Sequence, residues 1–121
     1  MASLLVSYSS GAADFQCALG ARIAASLGDG VTLHSCNWEK TPGNFVRTGP
    51  LQLIKNGILI LRLQTDRDGK LQGEYRVWDD HGALTESGYY RDGLKQGEWR
   101  SIAATGVTRI TVYRDGKPLS P

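Results

Sequence analysis

The chain has 121 residues, 40% of them hydrophobic, and its 14 basic and 12 acidic residues give a formal net charge of +2. This length suits one domain with a modest core, and no run of about eighteen uncharged apolar residues is available to span a membrane. From Asp66 onward nine basic residues balance nine acidic ones, which argues against a nucleic-acid-binding surface built from clustered lysine and arginine.

The first 48 residues are predicted to form a cap for the rest of the chain. A short strand is predicted from Leu4 to Tyr8, followed by a helix from Ala12 to Leu27. Ser9-Ser10-Gly11 supplies an N-cap for this helix and Gly28 a C-cap. Its apolar residues recur every four positions, as expected for one helical face; they are Phe15, Leu19, Ile23 and Leu27. We expect this helix to cover one face or one end of a sheet.

The middle of the chain reads as strands separated by one long loop. Residues from Val31 to Trp38 alternate loosely and predict a strand, and the stretch from Glu39 to Pro50, with two prolines and two glycines, predicts a loop. Strands from Leu51 to Ile54 and from Ile58 to Gln64 then flank Asn56-Gly57, a strong hairpin signal. The continuous apolar run that opens the second strand suggests that it is covered on both faces.

From Asp66 to the end, a cassette of about 24 residues is repeated. Gly73-Glu74-Tyr75-Arg76 returns as Gly97-Glu98-Trp99-Arg100, and Arg67-Asp68-Gly69 returns at Arg91 and at Arg114, so the intervals are 24 and 23 residues. Such a period is typical of stacked repeat architectures.

Each cassette predicts two strands and two turns. Asp-Gly favours a tight type I′ turn, and it occurs at Asp68-Gly69, Asp92-Gly93 and Asp115-Gly116. A second turn signal ends at Gly82 and at Gly106. The intervening runs, rich in aromatic and β-branched residues, are Glu74–Trp78, Ala83–Arg91, Glu98–Ala103 and Val107–Arg114. Because every connection is too short for a parallel crossover, the strands must form an antiparallel meander.

This pattern resembles the MORN-type repeat, in particular the bacterial variant known as the antitoxin component of a toxin–antitoxin system. The positions that carry the resemblance are Gly73, Tyr75, Trp78, Gly82, Leu84, Tyr90 and Gly93, then Gly97, Trp99, Ile102, Gly106, Tyr113 and Gly116. Ile102 and Thr108 depart from the pattern, and a weaker copy spans Gly49 to Gly69. The resemblance therefore covers roughly residues 49–117 and implies an elongated sheet of hairpins used for binding, without catalytic residues.

Three small groups of side chains could suggest chemistry, and each has a simpler interpretation. His34 and Cys36, with Cys17 and His81, contain zinc-ligand types, but neither Cys17 nor His81 has the closely spaced partner that zinc sites use. Asp79-Asp80-His81 and Asp66-Arg67-Asp68 fit solvated turns better than an acid–base pair or a calcium loop. Cys17 and Cys36 could form a disulfide; reduced, partly buried thiols are the favoured interpretation. We therefore expect no enzyme activity, metal or cofactor.

The repeated aromatic and arginine residues are the candidate binding groups. Tyr75 and Trp99 are expected to pack across strands, whereas Trp78 and Tyr89 are neighbours in the opposite register and should point the other way. With Arg76 and Arg100, they form the predicted partner-binding set: Arg76, Trp78, Tyr89 and Arg100. Tyrosine, tryptophan and arginine are the residue types that dominate binding hot spots.

The sequence accordingly predicts a non-catalytic protein-binding module, an antitoxin or immunity protein that neutralises a toxin by stoichiometric binding. The alternative is a structural or membrane-surface adaptor, which would call for a basic face or a lipidation signal. The N-terminus lacks the basic region of a signal peptide, so a cytoplasmic location is expected. The partner is expected to be a protein, without nucleic acid or membrane insertion, and the oligomeric state is left open.

Overall fold

The computed structural model describes residues 15–119, so the predicted strand from Leu4 to Tyr8 and residues 12–14 of the predicted helix lie outside the described residues. Within these residues, nine antiparallel strands follow one another in chain order in a single sheet. They are β1 Ala21–Gly28, β2 Val31–Thr41, β3 Asn44–Lys55, β4 Ile58–Thr65, β5 Gly73–Trp78, β6 Leu84–Arg91, β7 Leu94–Ile102, β8 Thr108–Arg114 and β9 Lys117–Pro118. The predicted mainly-β meander is confirmed, and it begins at Ala21 rather than at residue 49.

The predicted N-terminal helix is wrong over the part of it that the structure describes. Residues 15–20 are irregular, and Ala21–Gly28 is a strand that pairs with β2, with Ile23 opposite Ser35 and Ala25 opposite Leu33. A spacing of four residues satisfies a period of two as well as a period of 3.6, so the apolar pattern could not separate strand from helix. Gly20, at a φ of 76°, and the pairing with β2 decide in favour of the strand.

The loop predicted from Glu39 to Pro50 is also wrong, because the segment is a hairpin. β2 continues to Thr41 and β3 begins at Asn44, with only Pro42-Gly43 between them. Gly43 has a φ of 77°, and its N–H donates to the Glu39 carboxylate over 2.9 Å. Proline followed by glycine is a tight-turn signal in its own right; here the two prolines mark a turn and a strand, not a long connection.

The remaining turns are of two kinds, with two residues or with four, and the four-residue turns of the repeat lie at 66–69, 79–82 and 103–106. Two-residue turns with positive φ at both positions occur at Asn56-Gly57, Asp92-Gly93 and Asp115-Gly116, as predicted for type I′. The turn at Asp68-Gly69 is different, because Gly69 has a φ of 84° and Asp68 has no positive φ. It is a four-residue turn in which the N–H of Gly69 donates to the carbonyl of Asp66 over 3.0 Å. The type I′ prediction at this position is therefore wrong.

A side-chain contact fastens each two-residue turn of the repeat to the preceding hairpin. The N–H of Asp92 donates to Gln72 Oε1 over 2.8 Å, and that of Asp115 donates to Gln96 Oε1 over 2.9 Å. Gln72 and Gln96 occupy the same cassette position, directly before Gly73 and Gly97. These glutamines stabilise the stacking of successive hairpins, because they satisfy backbone donors that a turn would leave open.

The buried residues lie in two places along the sheet. Leu33, Ser35, Cys36, Thr48 and Gln52 are buried around β2 and β3, and Trp99 is buried in the repeat. The apolar run at the start of β4 is half-buried throughout, and the helix expected to cover it is absent from residues 15–119. The core is thus shared between the two ends of a single layer.

Candidate functional site: the two faces of the repeat sheet

The register of β4 to β8 divides the side chains of the repeat between two faces. Residues opposite each other share a face, and successive residues of a strand alternate. One row across the strands runs through Arg62, Arg76, Ser87, Arg100 and Ile110; the adjacent row runs through Leu61, Val77, Glu86, Ser101 and Arg109. Side chains on the two rows point in opposite directions.

The face that carries the row of Val77 and Glu86 also holds a packed aromatic cluster, and we call it the aromatic face. The cluster consists of Tyr75, Tyr90, Trp99 and Tyr113. The ring centroids of Tyr75 and Trp99 are 5.4 Å apart, and those of Tyr90 and Trp99 are 5.0 Å apart. Trp99 is only 4% exposed, and its indole N–H donates to the carbonyl of Tyr89 over 3.1 Å. The packing role predicted for Tyr75 and Trp99 is in agreement with these contacts.

A charged side chain closes over this cluster. Lys95 Nζ lies 4.5 Å from the ring centroid of Trp99 and 5.0 Å from that of Tyr113, a cation–π arrangement. Burial raises the pKa of the Tyr75 hydroxyl, and the Glu86 carboxylate raises that pKa further. Burial likewise raises the pKa of Tyr90. Both phenols are therefore neutral at physiological pH.

The opposite face contains the row of Arg62, Arg76 and Arg100, and we call it the arginine face. It carries all four predicted binding residues. Arg76 is opposite Ser87, which is opposite Arg100 on the next strand, so both guanidiniums lie in one row. Tyr89 is opposite Glu74 and Gln96 on the same face and is 48% exposed. Trp78 follows Arg76 by two residues at a register shift and is half-buried. None of the four belongs to the packed aromatic cluster.

The two repeated arginines each lie beside a carboxylate of their own strand. Arg76 Nη2 is 3.0 Å from Glu74 Oε2, and Arg100 Nη2 is 3.4 Å from Glu98 Oε1. All four side chains are largely exposed, so these pairs contribute little to stability. They orient the guanidiniums along the strands and leave most of the five N–H donors of each free for another group.

Sequence reasoning missed several members of the arginine face. Arg62 lies directly opposite Arg76, and the apolar side chains of Leu94, Ile110 and Val112 are 46%, 53% and 41% exposed. Ile110 is opposite Arg100 and Val112 is opposite Glu98. The alternation within β8 contained the signal for Ile110 and Val112. Arg62 required the β4–β5 register, which the turn between these strands does not reveal from sequence.

At the N-terminal end of the sheet, residues 15–20 cover the side that corresponds to the arginine face, because His34, Gln52 and Arg62 lie opposite one another in the register. Cys17 and Cys36 form a disulfide with a Cα–Cα distance of 5.7 Å, so the expectation of reduced thiols is wrong. Phe15 is buried and meets the His34 ring edge-on at 5.7 Å. Burial lowers the pKa of His34, as does the charge of Arg22, whose Nη2 is 3.3 Å from His34 Nδ1. His34 is a packing residue here.

The other candidate groups are turn structures. Asp79 Oδ1 accepts the N–H groups of His81 and Ala83 over 2.8 and 3.0 Å, and Asp66 Oδ1 does the same for Asp68 and Lys70. The disulfide uses both cysteines of the zinc-type set, and residues 15–119 contain no group of three or more possible metal ligands. A cavity of about 250 Å³ lies beside Leu19 and Thr48. The carboxylate that lines it belongs to Asp66, which already accepts the N–H groups of Asp68 and Lys70.

Comparison of the chain with protein-family models, with curated proteins and with solved structures gives no match. The resemblance to MORN-type repeats thus stays a prediction based on the cassette itself. Within residues 15–119, no helix is both long enough and apolar enough to cross a membrane.

Proposed function

We propose that this protein is a non-catalytic binding module that engages a protein partner through the arginine face. The observation that carries the proposal is the position of Arg76, Trp78, Tyr89 and Arg100 on one side of three neighbouring strands. The packed aromatic cluster lies on the opposite side of the sheet and includes none of the four. A surface of arginine and aromatic side chains has the composition of a binding hot spot.

The sheet itself supports a binding role. Three exposed aliphatic side chains, Leu94, Ile110 and Val112, extend the surface beyond Tyr89 on the same face. Clusters of exposed apolar side chains rimmed by charges mark interaction sites in soluble proteins. A twisted antiparallel sheet presents such side chains on a rigid frame, so little conformational entropy is lost on binding.

The partner that we propose is a toxin, which makes the protein an antitoxin or immunity protein. This step rests on the resemblance of the cassette to MORN-type antitoxin repeats. The disulfide between Cys17 and Cys36 modifies the expected location, because disulfides persist in oxidising compartments and are rare in the cytosol. We therefore favour action outside the reducing cytoplasm, in place of the cytoplasmic location predicted from sequence.

The experiment co-expresses the protein with the products of genes that neighbour its own, with export to an oxidising compartment. A toxic product whose growth inhibition is relieved, and which forms a stoichiometric complex by calorimetry, supports the proposal. Trp78→Ala combined with Arg100→Ala should weaken both rescue and binding. Arg109→Ala is the matched control, because Arg109 is an exposed arginine on the aromatic face.

A folded double variant that rescues growth as well as the wild type would rule out the arginine face. If the neighbouring products are all harmless, the antitoxin role is excluded and the adaptor alternative gains. An adaptor would be recognised by constitutive attachment to a membrane or scaffold fraction, which the antitoxin proposal does not require.

A further inference from the structure

The charges of the repeat are equal in number but separated in space. Six of the nine acidic residues from Asp66 onward lie in turns: Asp66, Asp68, Asp79, Asp80, Asp92 and Asp115. The arginine face carries five arginines against two glutamates: Arg62, Arg76, Arg91, Arg100 and Arg114 against Glu74 and Glu98. The repeat, whose charges balance from Asp66 onward, thus presents a basic sheet face between acidic turns, and Arg62 of β4 adds to that face.

The acidic residues have structural reasons to be where they are. The carboxylates of Asp66 and Asp79 accept backbone N–H groups of their own turns. Asp92 and Asp115 have φ values of 53° and 51°, a conformation that aspartate adopts more readily than most residues. Within residues 15–119, Arg76, Arg91 and Arg100 make only exposed ion pairs, with Glu74, Asp115 and Glu98, and such pairs contribute little to stability.

Three of these arginines form what we call the arginine row: Arg62, Arg76 and Arg100. Arg62 and Arg76 are directly opposite each other, a placement that disfavours folding because like charges repel across a strand pair. Within residues 15–119, Arg62 forms no ion pair. With adjacent strands about 4.8 Å apart, the backbone positions of Arg76 and Arg100 lie about 10 Å apart.

The geometry points to an acidic and partly apolar protein segment as the ligand of this face. Its carboxylates would accept bidentate hydrogen bonds from the arginine row, and its apolar side chains would cover Tyr89, Ile110 and Val112. Ile110 is directly opposite Arg100, so both kinds of contact fit within one short segment. This inference rests on the proposed function and names the chemistry of the partner.

Nucleic acid fits the same face less well. A nucleic-acid strand carries a negative charge at every nucleotide and could not avoid Glu74 and Glu98, which lie beside Arg76 and Arg100. Of Trp78 and Tyr89, the two aromatic side chains that the repeat places on this face, only Tyr89 is largely exposed, whereas single-strand-binding proteins stack successive bases on several aromatic rings. A protein segment can place carboxylates opposite the arginines alone.

The test measures fluorescence anisotropy of three labelled probes with the intact protein. The probes are a short peptide with glutamates flanking a leucine-rich centre, the same peptide with glutamine for every glutamate, and a short oligouridylate. We expect the acidic peptide to bind about tenfold or more tightly than the glutamine peptide. Added salt should weaken the acidic peptide's binding, because the row acts partly through charge.

A triple variant of the arginine row should lose the preference for the acidic peptide; its substitutions are Arg62→Gln, Arg76→Gln and Arg100→Gln. The control combines Arg67→Gln, in a turn, with Arg109→Gln, on the aromatic face, and should keep the preference. Equal binding of the acidic peptide by both variants overturns the inference. Row-dependent binding of oligouridylate without peptide binding overturns it in favour of nucleic acid. If the triple variant still neutralises a toxin, the recognition of an acidic segment is overturned and the proposed function stands. If the acidic peptide binds through the arginine row but no protein partner is found, the antitoxin role alone is removed.

Discussion

The indole of Trp99 lies over Gly88 of the neighbouring strand and fills the space that a Cβ at position 88 would occupy. Gly88 does not have a positive φ, so this glycine is required for close approach and not for its backbone conformation. Gly88→Ala should destabilise the protein by about 1–3 kcal/mol, because the ring must move from its packed position. Chemical denaturation measures the change, and Ser87→Ala, on the opposite face, is the control.

Combining the same substitution with Trp99→Leu identifies the contact responsible. If the ring is the obstacle, Gly88→Ala should cost much less in the Trp99→Leu background than in the wild type. Equal costs in the two backgrounds would mean that Gly88 is needed for another reason.

The two kinds of turn should respond differently to a β-branched residue. Asp92→Val forces valine into a φ of 53° and should destabilise by about 1 kcal/mol or more. Asp68→Val should cost less than half as much, because Asp68 is outside the positive-φ region. Gly69→Val and Gly93→Val should both destabilise, since both glycines have positive φ. Thermal unfolding of the set tests this order, and equal losses at 68 and 92 would contradict the turn assignment.

The four-residue turn that begins at Ala103 lacks a carboxylate that the four-residue turn beginning at Asp79 has. Asp79 and Ala103 occupy equivalent positions, and the backbone carbonyl of each accepts the N–H of the glycine three residues later. Ala103→Asp should therefore add hydrogen bonds from the backbone of residues 105 and 107, raising Tm by roughly 2–4 °C. Ala104→Asp, one residue along, should give no gain.

The gain from Ala103→Asp should depend on pH. Hydrogen bonds from the backbone of Ala83 and His81 lower the pKa of Asp79, and the new aspartate should behave in the same way. A lowered pKa in the folded state stabilises above the unfolded pKa near 3.8, and this contribution disappears as the pH falls through the folded pKa. Ala103→Asn should keep its gain at acidic pH. A pH-independent gain for aspartate would contradict the proposed contact.

The disulfide should contribute substantially to the stability of the N-terminal part of the sheet. It joins residues 19 positions apart, and closing a loop of that size corresponds to about 3 kcal/mol. Cys17→Ser with Cys36→Ser should lower the free energy of unfolding by that order. A reductant should affect the wild type but not the double variant. Two free thiols by mass spectrometry under non-reducing conditions would refute the bond itself.

The repeat made most of the C-terminal fold predictable, whereas the N-terminal part had no repeat to guide it. In the cassettes, glycine and aspartate positions specify turns, and short connections leave only an antiparallel meander. Between Phe15 and Leu27 the apolar residues fit two periodicities equally well, and the deciding factor was pairing with β2, a tertiary interaction. The β2–β3 hairpin was missed because Pro42-Gly43 was interpreted with its surroundings as a loop.

The candidate site was predictable where alternation along one strand was sufficient. Tyr75 and Tyr89 fell on opposite faces as expected, because both lie in well-defined strands of the cassette. Arg62 was missed, since its position opposite Arg76 depends on the register between β4 and β5. The separation of charge was also hidden, because composition counts residues without regard to the face on which they lie.

The two ends of the meander differ in their capacity to accept a further strand. β9 has only two residues, one of them Pro118, which has no N–H to offer an incoming backbone. At the opposite end, β1 has eight residues, and among residues 15–119 its outer edge pairs with no strand. Within residues 15–119, the eight-residue β1 therefore has the longer unpaired edge as a whole strand, whereas β9 pairs with β8 only at Tyr113 and Arg114 and has a proline in place of one backbone donor.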